Sequence, residues 1–302
     1  EAASRFFPTP IVVSNRPGAG GTIASPQVAG MAPDGLNLLV GYAGQISLGH
    51  AGFYALGAYG SAILAAQHGW PAWASMPAAV IAVGVLAFAV GRPTLRLKGH
   101  YLAMATLGLG VIVSIVLTNE DRVTGGPDGM SVPPLELFGH AVRGEPTWYW
   151  IVGGALWLTV WLALNLIDSP VGRALRALHG SEVAAETVGI ASASWKLRVF
   201  VISALIAAAA GALTAHYAGF VTPSKASFLH SVELVIMVVF GGMASIWGAV
   251  VGAAVLTLLP QFLTVLKDYE MMVFGAVLIA TMIFFPRGIV PTLARAFERF
   301  GR

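Results

Sequence analysis

The sequence predicts an all-α polytopic membrane protein, and three observations support that fold class. Hydrophobic residues make up 57% of the 302 residues and charged residues only 10%, whereas a soluble domain carries roughly a quarter charged residues. Several apolar runs reach the ~20 residues that a helix needs to cross a bilayer. These runs are too continuous for barrel strands, and an open sheet edge cannot satisfy its backbone groups in lipid.

About eight to nine membrane segments are predicted, including short or broken ones. The first is short and interrupted by glycine, and the seventh is about half the usual length. In chain order the segments are 36–48, 51–67, 72–90, 101–118, 148–167, 197–220, 232–241, 247–266 and 271–285. The pair at 232–266 is expected to cross twice, with its turn at the sequence GGMASIWG.

The charges between these runs predict the orientation of the chain. Basic residues cluster around 92–98, 173–198 and 287–302, whereas the stretches 120–145 and 268–270 are acidic. The positive-inside rule assigns the basic set to the cytoplasm. We therefore expect a cytoplasmic C-terminus and an outer position for the turn VTGGPDGMSV, whose glycines and proline are turn formers.

The sequence offers no chemistry that would make the chain an enzyme. It contains no G-x-x-x-x-G-K-[ST] phosphate loop, no HExxH, no GxSxG and no His/Asp/Glu cluster with metal-ligand spacing. Cysteine is absent, and the net charge of +3 is modest. We expect no cofactor, no metal and no nucleic-acid partner. Any energy for transport would come from another subunit.

Ionisable residues are rare within the predicted spans. Glu233, His216 and His50 lie near span ends or breaks, where each could simply be hydrogen-bonded at an interface. Ion-coupled carriers usually keep charged residues inside their spans because charge in lipid is costly and survives mainly for function. The pattern therefore disfavours an ion-coupled carrier.

The stretch SPVGRALRALHGSEVAAETVGI predicts two short amphipathic helices. Ser169 can cap a helix that starts at Pro170, and Gly180 with Ser181 ends that helix and starts the next. The pair could be a docking element for a partner. It could equally lie at the membrane interface with snorkelling arginines, and the spacing alone favours neither.

An ordered series of motifs resembles one permease family. GLNLLVGYAGQISLGHAGFYALGAY, RLKGHYLAMATLGLG and VTGGPDGMSV come first, and GRALRALHGSEVAAETVGI, YAGFVTPSKASFLHSVELVIMVVFGGMASIWGAVVGA and FFPRGI follow. Together they resemble the LivM-like (M-type) permease subunits of ATP-binding-cassette importers for branched-chain amino acids, almost continuously over 35–302. Related permeases for urea, short amides or aromatic acids share much of this pattern.

The resemblance implies a function and a set of partners. It implies a permease of the bacterial-type cytoplasmic (inner) membrane that moves amino acids inward by alternating access. The implied partners are a homologous H-type permease, two cytoplasmic ATPase subunits that hydrolyse ATP, a periplasmic receptor and membrane lipid. The rival from another class is an ion-coupled secondary transporter or channel that acts alone.

The resemblance also implies three groups of site residues. The segment 169–196 would be a cytoplasmic coupling loop that inserts into the ATPase. Its contact surface would be Arg173, Arg176, Glu182, Ala185 and Gly189. Polar residues of the translocation path would be Ser47, His50 and Thr106, although each could instead make a helix-packing hydrogen bond. The outer loop that contacts the receptor would include Gly125, Gly126 and Asp128.

Residues 1–34 are expected to form an atypical, flexible tail ahead of the permease domain at 35–302. Within it, FFPTPIVVSNRPGAGGTIASPQVAGMAPDG resembles a fragment of the periplasmic receptors of tripartite tricarboxylate transport. It stands where family members normally carry an additional first helix, which suggests a fusion joint near 34–36. A permease that inserts but does not assemble is therefore a third possibility.

Overall fold

The computed structural model describes residues 34–263 except 46, 96, 98–99, 138–139, 143 and 244, together with 275, 279, 283 and 288–292. Residues 1–33, most of the predicted segment 271–285 and most of the basic stretch 287–302 lie outside the described residues. The predictions made for those three stretches therefore remain predictions.

Helices account for most of the described chain. Residues 34–37 are α-helical and continue into a π-helical turn, Leu38–Tyr42. The α-helices that follow are α1 His50–Ala66, α2 Ala72–Thr94, α3 His100–Asn119, α4 Asp121–Thr124, α5 Glu145–Asp168, α6 Pro170–Gly180, α7 Glu182–Thr187, α8 Ser192–Ala218, α9 Phe228–Gly241 and α10 Ile246–Leu263. Two-residue strands β1 Met130–Ser131 and β4 Phe220–Val221 pair antiparallel, as do β2 Glu136–Leu137 and β3 His140–Ala141.

Four of the described helices are long and apolar enough to cross a membrane: α2, α3, α5 and α8. The helices α9 and α10 pass the same test together, but the chain bends by 120° between them. This arrangement confirms the all-α polytopic class. The predicted segments at 36–48 and 51–67 correspond to shorter elements, the π-helical turn and the 17-residue helix α1.

The helices α1 and α8 pack with their backbones in contact. A Cβ placed on Gly57 would lie 2.2 Å from the carbonyl oxygen of Ala208, and one on Gly211 would lie 1.9 Å from that of Tyr54. Small residues allow this approach, and van der Waals contact between close backbones is a main source of helix association in lipid. The glycines and alanines of the two helices thus set the centre of the bundle.

The helix α8 gives the bundle a reference direction. Its first residue, Ser192, lies beside α7, and its last, Ala218, leads into the β1–β4 pair. We call the end of the bundle that carries α6 and α7 the lower end, and the opposite end the upper end. At the upper end, Gln67 donates its side-chain amide to the carbonyl of Val123 over 2.7 Å, which fixes the position of the end of α1.

The helix α1 begins inside the bundle rather than at the lower surface. His50, its first residue, is fully buried. The Ala51 amide donates to Ser231 Oγ over 3.2 Å, so a side chain of α9 satisfies one of the free N–H groups of the first turn. Below this point, Gly49 passes so close to α3 that a Cβ would lie 2.0 Å from the Thr106 carbonyl oxygen.

Candidate coupling surface and membrane path

The two predicted short helices are present as α6 and α7. Ser169 Oγ accepts a hydrogen bond from the Val171 amide at 3.1 Å, and Pro170 occupies the first helical position. Ser181 Oγ accepts from the Ala184 amide at 3.2 Å. Each serine therefore supplies an acceptor to a helix start, which is the role that its position in the sequence predicts.

The helix pair has a buried face and an exposed face. Leu175, Leu178 and Ala185 are buried, with Ala185 only 2% exposed. Arg173 and Arg176 are exposed on the opposite side of α6.

The helix α7 and the residues that follow it also expose apolar side chains. Val183 and Val188 are 70% and 74% exposed. Gly189, also exposed, has φ +85°, a backbone conformation that favours glycine. Exposed cationic and apolar groups together are suited to a protein partner.

An ion pair fixes the helix pair to a long helix. Lys196 Nζ, near the start of α8, binds Glu182 Oε1 on α7. The Lys196 side chain is 7% exposed and that of Glu182 is 31% exposed. Ser192 Oγ also donates to a carboxylate oxygen of Glu186. A displacement of α7 would therefore be transmitted to α8.

The helix α6 also contacts the chain that leads to α1. A Cβ on Gly44, which has φ +65°, would lie 2.9 Å from His179 Nδ1. At the other end of α6, a Cβ on Gly172 would lie 1.9 Å from the Ile167 carbonyl oxygen, at the end of α5. The helix pair is thus in contact with α5, α8 and the segment before α1.

His50 lies in a buried polar arrangement at the start of α1. Its Nε2 is 2.7 Å from Ser203 Oγ, and Ser203 Oγ donates to the Gly35 carbonyl over 2.6 Å. Because the serine proton is used for that carbonyl, Nε2 carries the histidine proton and donates to Ser203. Nδ1 is then an acceptor, and it has no partner among the described residues.

The other two predicted path residues are also buried but differ in their bonding. Thr106 Oγ1 accepts from the Leu48 amide at 3.1 Å and donates to the Ala103 carbonyl at 3.0 Å. Ser47 Oγ has no partner among the described residues, and neither has the side-chain amide of Gln45. Buried polar groups usually find partners. The non-helical stretch between the π-helical turn and α1, which we call the break before α1, therefore contains buried polar groups with unused hydrogen-bonding capacity.

The loop 124–129 is a tight turn that requires its glycines. Gly125 and Gly126 have φ of +77° and +58°, and a Cβ on either would lie about 2 Å from a neighbouring oxygen: 2.1 Å from Gly129 O and 2.0 Å from Asp121 Oδ1. Thr124 Oγ1 accepts from the Gly126 amide at 3.2 Å, and its proton is shared between the carbonyl oxygens of Leu117 at 2.8 Å and Glu120 at 2.7 Å, both of which precede the turn. Gly125 and Asp128 are exposed, whereas Gly126 is buried.

Sequence reasoning missed one group of charged residues. Lys225, His230 and Glu233 line a single groove of about 490 Å³, although the sequence alone identified no charged residue in a pocket. The signal that could have found them is a basic residue followed by a His-x-x-Glu spacing in a break between apolar runs. At a spacing of three residues, His230 Nδ1 and Glu233 Oε2 lie 2.9 Å apart.

The apolar spans, the bent pair α9 and α10 and the exposed helix pair at one end are those of a multi-pass membrane protein. The chain belongs to the family described as "Branched-chain amino acid transport system / permease component", whose profile matches residues 28–282.

Two kinds of curated relatives resemble this chain. The permease protein LivM of the high-affinity branched-chain amino acid transport system is 34% identical over 281 residues in both Salmonella typhimurium and Escherichia coli. That alignment covers 85% of this chain but 66% of each relative, so the chain spans just under two thirds of the LivM length. LivH of Escherichia coli is 25% identical over 277 residues, 85% of this chain and 89% of LivH. No solved structure matches the chain significantly.

Proposed function

We propose that the chain is the permease subunit of an ATP-binding-cassette importer that moves branched-chain or related amino acids inward by alternating access. The family match and the identity to LivM support the substrate class. Similarity to both LivM and LivH supports a homologous H-type permease as the partner within the membrane.

One observation carries the proposal. The exposed arginines of α6 belong to a helix pair that is held to α8 by the Lys196–Glu182 ion pair. A partner that moved this pair would move α8, α5 and the chain leading to His50 together. Such rigid-body transmission is a common way to drive alternating access. We assign the partner as two cytoplasmic ATPase subunits, so that ATP hydrolysis takes place outside this chain.

The orientation follows from the same assignment. The lower end would lie in the cytoplasm of a bacterial-type inner membrane, together with the C-terminus. The coupling surface would include Arg173, Arg176, Glu182 and Gly189, with Ala185 packed beneath it. Movement of this surface would act on the buried break before α1.

We assign the break before α1 to the inner part of the translocation path. Ser47 Oγ and His50 Nδ1 have no partner among the described residues and would become available when the break opens. Thr106 would hold the closed form through its bond to the Leu48 amide. At the upper end, Gly125 and Gly126 would shape the turn that presents Asp128 to a periplasmic receptor.

Reconstitution tests this proposal against its rivals. The chain would be assembled with its H-type partner and ATPases in proteoliposomes, and uptake of labelled leucine, urea and phenylalanine would be measured. Uptake that needs both ATP and the receptor is expected, with leucine preferred. Preference for urea or an aromatic substrate would move the chain to a related permease group. Uptake driven by an ion gradient alone would support a secondary transporter instead.

A further inference from the structure

The chain between α8 and α9 descends into the bundle from its upper end. Tyr59 OH, on α1, donates to the Val221 carbonyl at 3.5 Å, and Ser231 Oγ accepts from the Ala51 amide at 3.2 Å. These two points on α1 are eight residues apart, which corresponds to about 12 Å along the helix. The segment 221–231 therefore covers about half the length of α1.

This segment lies well below the upper end of the bundle. Ala51 is sixteen residues from Gln67, which marks the upper end of α1, so Ser231 lies about 24 Å below that end along the helix axis. The hydrocarbon core of a bilayer is about 30 Å thick. With the end of α1 placed at the upper edge of this core, residues 224–233 would lie within it.

A groove opens on the surface of the bundle along this segment. Its polar lining comes from Ser224, Ser227, Lys225, His230 and Glu233. Glu233 is 50% exposed although it is bonded to His230. Lys225 is exposed and makes no ion pair within 4.0 Å among the described residues.

Charge of both signs on a surface at this depth needs an explanation. Ionisable side chains within the membrane almost always face the interior of an assembly or a water-filled cavity, because lipid does not solvate them. The groove must therefore face a protein partner or an aqueous path. The lining of the groove favours an aqueous path, since an exposed ammonium and an accessible carboxylate on the same wall provide sites for a ligand that carries both charges.

The rest of the lining is apolar. Leu229, Val232 and Ile236 come from α9, and Leu256 comes from α10. Leu229 is 76% exposed at the rim. Aliphatic side chains beside a cation and an anion match the chemistry of an α-amino acid with a branched apolar side chain.

We propose that this groove binds the transported zwitterion during its passage through the membrane. The Lys225 ammonium receives the α-carboxylate, the Glu233 carboxylate receives the α-ammonium, and the aliphatic wall of α9 and α10 receives the side chain. His230 positions Glu233 through the bond between Nδ1 and Oε2. This assignment rests on the proposed function and names the residues and the ligand class for its path.

Transport by charge-neutral variants tests the groove. In the assembled importer with its receptor, Lys225→Met and Glu233→Gln are each expected to lower ATP-driven leucine uptake about tenfold or more, the effect of losing a hydrogen bond to a charged group. Lys225→Arg should retain most of the uptake. Membrane insertion and co-purification with the H-type partner and the ATPases should be unchanged, because the variants leave α6 and α7 intact. Arg122→Met and Glu136→Gln, both exposed at the upper end, are the matched controls.

Chemical protection separates this inference from the proposed function. The chain has no cysteine, so Ser227→Cys places a single thiol in the groove. Leucine should slow its modification by a small, water-soluble thiol reagent, and should not slow modification of Ser131→Cys. Protection without ATP-driven uptake by the unaltered protein would support the groove and overturn the importer. Normal uptake with full activity of both charge-neutral variants, or with no protection at Ser227→Cys, would overturn the groove alone.

Discussion

Lys196 Nζ binds the Glu182 carboxylate across the junction between the short helix α7 and the long helix α8. The lysine side chain is almost completely buried, so the carboxylate is what compensates its charge. Removing one partner of such a pair costs more than removing both, because the remaining charge stays buried without compensation. The ion pair thus stabilises the fold and also couples any movement of α7 to α8.

The first prediction follows from this asymmetry. Glu182→Gln should lower the free energy of unfolding by about 1–3 kcal/mol, the usual range for a lost bond to a charged group, because the neutral amide no longer compensates the buried ammonium. The double variant Glu182→Gln/Lys196→Met should recover part of that loss, because no unpaired ammonium remains. Thermal unfolding of the two purified variants in detergent measures the difference. A single variant as stable as the unaltered protein would show that the pair contributes little.

The second prediction concerns the exposed arginines of α6. Reversing both charges, in Arg173→Glu/Arg176→Glu, should abolish receptor-stimulated ATP hydrolysis while leaving membrane insertion intact, because neither side chain is part of the core. Arg122→Glu, an exposed reversal at the upper end, should leave hydrolysis close to normal. Full ATP-driven uptake by the double variant would contradict the coupling role.

The third prediction concerns the contact between α1 and α8. Gly211→Leu should prevent accumulation of folded protein, because even a Cβ would lie 1.9 Å from the Tyr54 carbonyl oxygen. Overpacking costs about 1–3 kcal/mol where neighbours can shift, and two backbones in contact have little room to do so. Gly154→Leu on α5 is the control, since nothing lies within 4 Å of its Cβ position. Size-exclusion profiles should show a monodisperse peak for the control only.

The fourth prediction concerns orientation. A cysteine in place of Ser131 should react with a membrane-impermeant thiol reagent in intact cells, and one in place of Ser181 should react only after the cytoplasm is opened. Both serines are exposed and lie at opposite ends of the bundle. The reverse pattern would invert the topology and with it the assignment of α6 and α7 to the cytoplasm.

Local patterns were sufficient to predict the helices and their caps. The starts of α6 and α7 depend on Ser169 and Ser181, whose acceptors reach backbone amides only two and three residues ahead. Apolar runs similarly predicted α2, α3, α5 and α8, because lipid requires each backbone group to be satisfied within its own helix.

The candidate sites depend on contacts that local patterns do not contain. His50 meets Ser203 across 153 positions. Lys225 and Glu233 are close in sequence, but only the descent of their segment along α1 shows that they lie below the upper end of the bundle. The charge of Glu233 was visible in the sequence, whereas its depth followed from the hydrogen bonds of Tyr59 and Ala51 with distant residues.

The start of α1 has a consequence for how the protein is made. The amide of Ala51 can bond to the hydroxyl of Ser231 only after that serine has left the ribosome, 180 residues later. At about 5–20 residues per second, that interval is roughly 10–40 s. For most of this time the nascent α1 has neither this hydrogen bond nor the close contact with α8. We therefore expect the translocon or an insertase to hold α1 until those partners have been synthesised. The hydrogen bond at the start of α1 and its packing against α8 therefore form only after the later segments have been synthesised.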